Sequence, residues 1–170
     1  MSWQIDPRLA PFVTVAEVER GDRFIRVLFQ RKFGHAPPDF GHHLIAFHAR
    51  GDGSFMPAAY LHLWTKEAIG LVGGGCTDGH VIRAMGTRER AQVRDAGGLL
   101  LQMLGFCFTK FEPELEAFFG HCGNDRAKEV DLRAGFRETR LAHLLYRPNR
   151  ELSPERAEAL LRQAEAIGNF

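Results

Sequence analysis

Cysteine is scarce. The three present, Cys76, Cys107 and Cys122, are odd in number, far apart and never arranged C-x-x-C. That excludes a disulfide framework and a paired-thiolate motif, and it suits a reducing, cytoplasmic compartment. Long apolar runs are lacking as well. The longest, "GGLLLQMLGFCF" at 97–108, is broken by Gln102 and falls short of the ~18 apolar residues a membrane span needs. The start, "MSWQIDPRLAPF", has no basic stretch followed by an apolar run, so it does not read as a signal peptide. Nor is there a surplus of one charge: 22 Lys and Arg against 21 Asp and Glu leave +1. That balance argues against strong non-specific binding to nucleic acid or to an anionic membrane, and the expectation is a protein without either partner. Internal repeats and low-complexity segments are missing too.

What is present fits one folded domain. At 170 residues, with 45% hydrophobic and 25% charged, the chain is large enough for a real core. Val15, Val18, Ile25, Leu28 and Phe29 fall near helical spacing, and Thr14 with Glu17 reads as a capping box, so a helix is expected over 14–33, ended by Gly34. "HAPPDFG" is a loop, because paired prolines cannot continue a helix. The period then drops to two. Candidate strands at 42–50, 57–65, 68–76 and 80–85 form an antiparallel meander. The "VGGGC" run inside the third lacks the Gly-Lys-Ser/Thr of a nucleoside triphosphate loop and reads as a bulged strand. Helical spacing returns over 91–111 and stops at Pro113. A short buried strand at 116–122, a helix at 124–134 and a strand at 139–147 follow. Ser153-Pro154 opens a last helix, with Ala157, Leu160, Leu161, Ala164 and Ile167 on its inner face. The expected class is α+β: a mixed, mostly antiparallel sheet flanked by helices over residues 1–150, with a helical extension over 151–170.

The most specific stretch is "NDRAKEVDLRAGF" at 124–136. Asn124 can cap a helix, and Gly135 can end it in the left-handed conformation. Phe136 then returns to the core. The spacing Asn124, Ala127, Gly135, Phe136, between two strands, resembles the GCN5-related N-acetyltransferase (GNAT) superfamily, and the order of elements from about 14 to 147 resembles it too. The resemblance implies acetyl-CoA or another acyl-CoA as cosubstrate, no metal, and direct attack by the amine of a small-molecule or peptide acceptor. It implies that backbone at Ile82, Arg83 and Ala84 holds the acyl-thioester arm. The pyrophosphate would sit on a loop of Arg94, Ala96, Gly97, Gly98 and Leu99, with Asn124 and Ala127 nearby. Leu99 stands where the family pattern has a second Gly or Ala. Asp131 stands where the family often has the Tyr that protonates the departing thiolate. An ordinary carboxylate is ionised and can donate only if burial raises its pKa.

Eight histidines invite acid–base or metal readings. His42 and His43 are adjacent on a strand and face opposite sides, and no carboxylate or Cys stands at ligand spacing beside them, which argues against zinc. A base for the attacking ammonium is sought among His62, Glu67, His80 and His121. The alternatives to a working transferase are a catalytically silent relative that binds a ligand, and a protein-interaction module, for instance a homodimer built on the terminal helix.

Overall fold

The computed structural model describes residues 4–170; the first three residues of the leader reading lie outside that range. Seven strands form one sheet in the order β1-β2-β3-β4-β5-β7-β6. The first four are β1 (Val13–Glu17), β2 (His42–Ala49), β3 (Phe55–Lys66) and β4 (Ile69–Thr77), all antiparallel neighbours. The rest are β5 (Ala117–His121), β6 (Arg137–Glu138) and β7 (Leu144–Pro148). β5 joins β4 in parallel and β7 in antiparallel fashion. Among the described residues six α-helices accompany the sheet: α1 (Gly21–Phe33), α2 (Gly79–Ala84), α3 (Thr87–Asp95), α4 (Leu99–Phe111), α5 (Asp125–Arg133) and α6 (Pro154–Ile167).

The alternation of side chains divides the core into two faces. On one, Leu44, Leu61, Leu63, Val72 and Phe118 pack against Met103, Leu104, Cys107 and Phe108 of α4, with Ala127 and Val130 of α5 alongside. On the other, Ile45, Tyr60 and Cys76 meet Ile25, Leu28 and Phe29 of α1, while Ile69, Leu71, Ala117 and Phe119 meet Leu160 and Ala164 of α6. Leu160 and Ala164 of α6 are thus buried within its own chain, while Ala157, Leu161 and Ile167 are only half-buried. The parallel β4–β5 pair needs a long crossover, and α2, α3 and α4 supply it.

Several sequence expectations change here. Residues 13–17 form a strand, not the first turn of a helix; Val13, Thr14 and Val15 are β-branched, and pairing to β2 outweighs the apparent capping box. Helix α1 starts at Gly21, where a Cβ would stand 2.3 Å from the Cβ of His43, so glycine is what lets the helix lie close on β2. Residues 80–84 of the expected strand 80–85 fall on α2 and Met85 ends it; the helix is capped by Asp78 accepting from the His80 amide at 2.8 Å; six residues are too few for period to separate helix from strand. The expected helix 91–111 is two helices broken at Gly97 and Gly98, with φ of 87° and 91°. The last strand begins at Leu144, after His143 with φ 65°.

The segment 124–136 folds as expected. The Asn124 side chain accepts from the Ala127 amide at 2.9 Å, and Gly135 has φ 98°. Asn124→Ala should cost about 1 kcal/mol, a fall of roughly 2–4 °C in Tm by thermal denaturation for a chain of this size. An unchanged Tm would mean that the cap contributes nothing.

Candidate functional site

β4 and β5 pair only from Ile69–Val72 against Ala117–Gly120. Past that point each strand follows its other neighbour. β4 stays with β3, where His62 faces Gly73 and Tyr60 faces Cys76, with a register shift between them. Gly74 lies in that shift with φ 59°, the left-handed geometry that admits an extra residue and bends the strand. β5 stays with β7, pairing His121 with Leu144, and the Cys122 amide donates to the His143 carbonyl at 3.1 Å. A gap therefore opens between Gly73–Cys76 and His121–Cys122. Gly73–Thr77 have no partner on β5, so the β4 backbone along the gap is open to another bonding partner.

The start of α4 lies on the side of the sheet that α4 and α5 cover. Amides of Ala96, Gly97 and Gly98 are used in closing α3, on the carbonyls of Gln92, Arg94 and Val93. The first turn of α4, Leu99–Leu101, has no side-chain cap, so its amides point outward without an acceptor within the helix. At Gly98 there is open space where a Cβ would stand, and Arg133, at the end of α5, has a guanidinium nitrogen 2.8 Å from the corresponding position at Gly97. Uncapped helical amides beside a guanidinium suit a phosphate. Arg94, by contrast, is exposed and engaged by Asp95 at 3.4 Å. The residues present fit an acyl-CoA in two respects: an open strand edge for an amide-bearing arm, and an anion cradle at the start of α4. Such a cradle would use the amides at 99–101 and Arg133, since those at 96–98 are already bonded to α3 carbonyls.

Asp131 lies on α5, half-buried, and burial raises its carboxyl from the ordinary 3.8 to about 6. Its charge also reaches Cys122, whose thiol is pushed up first by burial and then by Asp131. Asp131 therefore sits by the end of β5, at the rim of the gap. On the opposite face His62 and His121 flank Gly73, one on β3 and one on β5. The His62 Nε2 lies 2.7 Å from the Phe40 carbonyl, which can only accept, so Nε2 carries the proton and Nδ1 holds the lone pair. Burial lowers the pKa of His62, and it lowers that of His121, with His143 adding to the latter.

Of the base candidates, then, the fold brings His62 and His121 to the gap and leaves two elsewhere. Glu67 is on the β3–β4 turn against Gln163 at 3.3 Å, at the far end of the paired segment. His80 is exposed at the start of α2, near Arg83. Ile82, Arg83 and Ala84 lie on α2 and offer no strand edge; Gly73–Cys76 of β4 offers one instead. Arg133 and Phe170, which is described below, had no local sequence signal. Both reach the site through packing alone. Among the described residues no group of three or more His, Cys, Asp or Glu side chains could hold a metal ion. A cavity of about 600 Å³ lies away from the gap, at the β1 edge, beside a Glu17 side chain already engaged by His42 and Lys110.

No family model and no curated protein matches the sequence. Solved structures do. The N-acetylglutamate synthase from Neisseria gonorrhoeae, complexed with coenzyme A and L-arginine, superposes with a TM-score of 0.51 at 16% identity, over 81% of this chain and 33% of that one. A GNAT-family acetyltransferase from Bacillus anthracis gives 0.48 at 9% identity, over 89% and 100%. The fold is the GNAT fold, divergent in sequence. A third similar chain is AtaT complexed with acetyl-methionyl-tRNAfMet, with a TM-score of 0.44 at 12% identity over 88% and 99%.

With that tRNA-bound neighbour, the exclusion of nucleic-acid partners does not stand. Its weakness is physical: a net charge near zero says nothing of where the charges lie. Between residues 20 and 32 this chain places Arg20, Arg23, Arg26, Arg31 and Lys32 against the single carboxylate of Asp22.

Asp131 also yields a stability test. Its pKa is raised on folding, so the folded state binds its proton more tightly. Stability is full below about pH 4 and is lost as pH rises through about 6. Asp131→Asn removes that loss. At pH 7.5 the variant should be more stable by ~1 kcal/mol, after discounting for partial exposure, and at pH 4 it should match the native protein. Thermal unfolding at the two pH values checks this; equal Tm values at pH 7.5 would show that burial does not perturb the group.

Proposed function

We propose that the chain is an acyl-CoA-dependent N-acyltransferase, acetyl being the default acyl group, acting on the amine of an acceptor by direct attack. The observation that carries this reading is the parting of β4 and β5 beside the uncapped start of α4. The pantetheine amides would bond the open β4 edge at Gly73–Cys76. The diphosphate would rest on the amides of Leu99–Leu101 with Arg133. The acceptor would then approach from the opposite face, where His62 and His121 stand.

The chemistry asked of the protein is modest. The amine must lose a proton, and neutral His62, with Nδ1 unprotonated, is fit to take it directly or through water. The thioester carbonyl becomes an oxyanion, which a β4 amide in the gap can stabilise. The departing thiolate needs a proton, and Asp131, raised to about 6 and close enough to Cys122 to perturb its thiol, is a carboxyl fit to give one. Most of the rate would come from holding amine and thioester together. A second reading, a silent binder of the same cosubstrate, draws on Asp131 standing where the family often has Tyr.

Two measurements decide. Coenzyme A at a hundredfold its Kd should add ~2.7 kcal/mol of stability, roughly 5–10 °C in Tm. Gly98→Glu should abolish that shift by setting charge against the diphosphate, whereas Gly98→Ala, with the same backbone strain, should keep it. No shift with any acyl-CoA would end both readings. Free-thiol release over an amine panel then separates catalyst from silent binder. With Asp131 as the donor, release should slow as pH rises above about 6, and Asp131→Asn should lose that limb of the profile.

A further inference from the structure

The chain turns back onto the sheet after α6. Gly168 takes φ 77°, and the chain then crosses the gap on the face opposite α4. The Phe170 ring stands edge-on to His121, with centroids 4.8 Å apart at 70°. It also joins the apolar cluster that α6 forms with β4 and β5. The Phe170 carbonyl oxygen sits 2.7 Å from where a Cβ on Gly73 would be, so only glycine allows it to lie there. Gly73 and His121 are the first residues beyond the last β4–β5 pair, Val72 with Gly120. His62 is the register partner of Gly73. The contact thus covers the mouth of the gap, between the two histidines.

We propose that Gly168–Phe170 is a strap over the acceptor entrance, which an acceptor must displace before its amine can reach the gap. This rests on the transferase reading above, since that reading assigns the opposite face to the cosubstrate. The strap touches none of the residues given to the phosphate cradle, and it meets Gly73 on the face of the sheet, where a Cβ would point, and not along the edge given to the pantetheine arm, so it bears on the acceptor and not on acyl-CoA. Its chemistry also narrows the acceptor. Displacing Phe170 uncovers apolar surface beside His121, which costs free energy unless the incoming molecule covers it again. The fitting acceptor therefore carries an apolar or aromatic group close to its amine, as phenethylamine does and ethylenediamine does not.

The test uses the full chain and Phe170→Ala. Accessibility of His121 is read by its rate of modification with diethyl pyrocarbonate, located by mass spectrometry. Activity is read as thiol release with acetyl-CoA, and cosubstrate affinity by calorimetry. The variant should label faster at His121. It should raise kcat/KM for ethylenediamine about fivefold, which corresponds to ~1 kcal/mol. Its acetyl-CoA Kd should stay within about twofold of the native value, and its preference for phenethylamine over ethylenediamine should shrink. Gly73→Ala should lift the strap with Phe170 still in place and reproduce the faster labelling. Unchanged labelling in both variants overturns the strap itself. Faster labelling without faster turnover, in a protein that does bind acetyl-CoA, overturns its role as a gate. Failure of the native chain to bind any acyl-CoA removes the transferase reading and the gate with it, and the labelling result then still shows whether the contact forms.

Discussion

Everything in this molecule that resembles a site follows from two strands failing to stay together. A parallel pair inside an otherwise antiparallel sheet has competitors on both sides. β4 is held by β3 through its whole length, and β5 is held by β7 to its end. Their shared pairing lasts four residues. The bulge at Gly74 adds curvature to β4 just where the pairing stops, so the separation is built into the backbone and does not await a ligand. A gap made this way presents main-chain donors and acceptors along its edge, and those groups must be satisfied by something.

The two faces of the sheet then divide the work. α4 and α5 lie on one face and bring helical amides, Arg133 and Asp131 to the gap. α1 and α6 lie on the other, set apart enough to leave His62 and His121 near the opening. Such a division is what the proposed transfer requires, since its two substrates would arrive separately and meet in the gap. It also explains why the polar groups of the site are perturbed in the directions seen. Asp131 is pushed toward its neutral acid and the histidines toward their neutral bases, in each case by burial first.

Legibility in the sequence followed the range of the interaction. Asn124 and Gly135 could be read because capping and positive φ are decided within a few residues. The meander of β2, β3 and β4 could be read because period two persists over eight or more residues. Val13–Glu17 could not: five residues fit either period, and only the β2 neighbour decides. The helix at 79–84 was hidden for the same reason, and with it fell the expected role of Ile82, Arg83 and Ala84. Gly97 and Gly98 were read as a phosphate loop within one long helix. In the structure they are first of all a break between two helices, which moves the free amides two or three residues on. Charge misled in another way, since a sum over the chain cannot register the basic run from Arg20 to Lys32.

His62 illustrates how the loop after α1 enters the chemistry. Nothing in "HAPPDFG" names a substrate, yet its Phe40 carbonyl takes the Nε2 proton of His62, and the Phe40 ring packs edge-on to both His62 and Trp64, at 5.3 and 5.4 Å. The loop thereby sets the tautomer of His62, the base of the proposed transfer, and helps to bury its ring; burial lowers the pKa and outweighs the Phe40 bond, which raises it. In the proposed transfer, a loop that fixes this tautomer would bear on the proton-transfer step itself. Under the proposed transfer, changes there should alter proton transfer through His62, because the Phe40 oxygen holds its Nε2 proton.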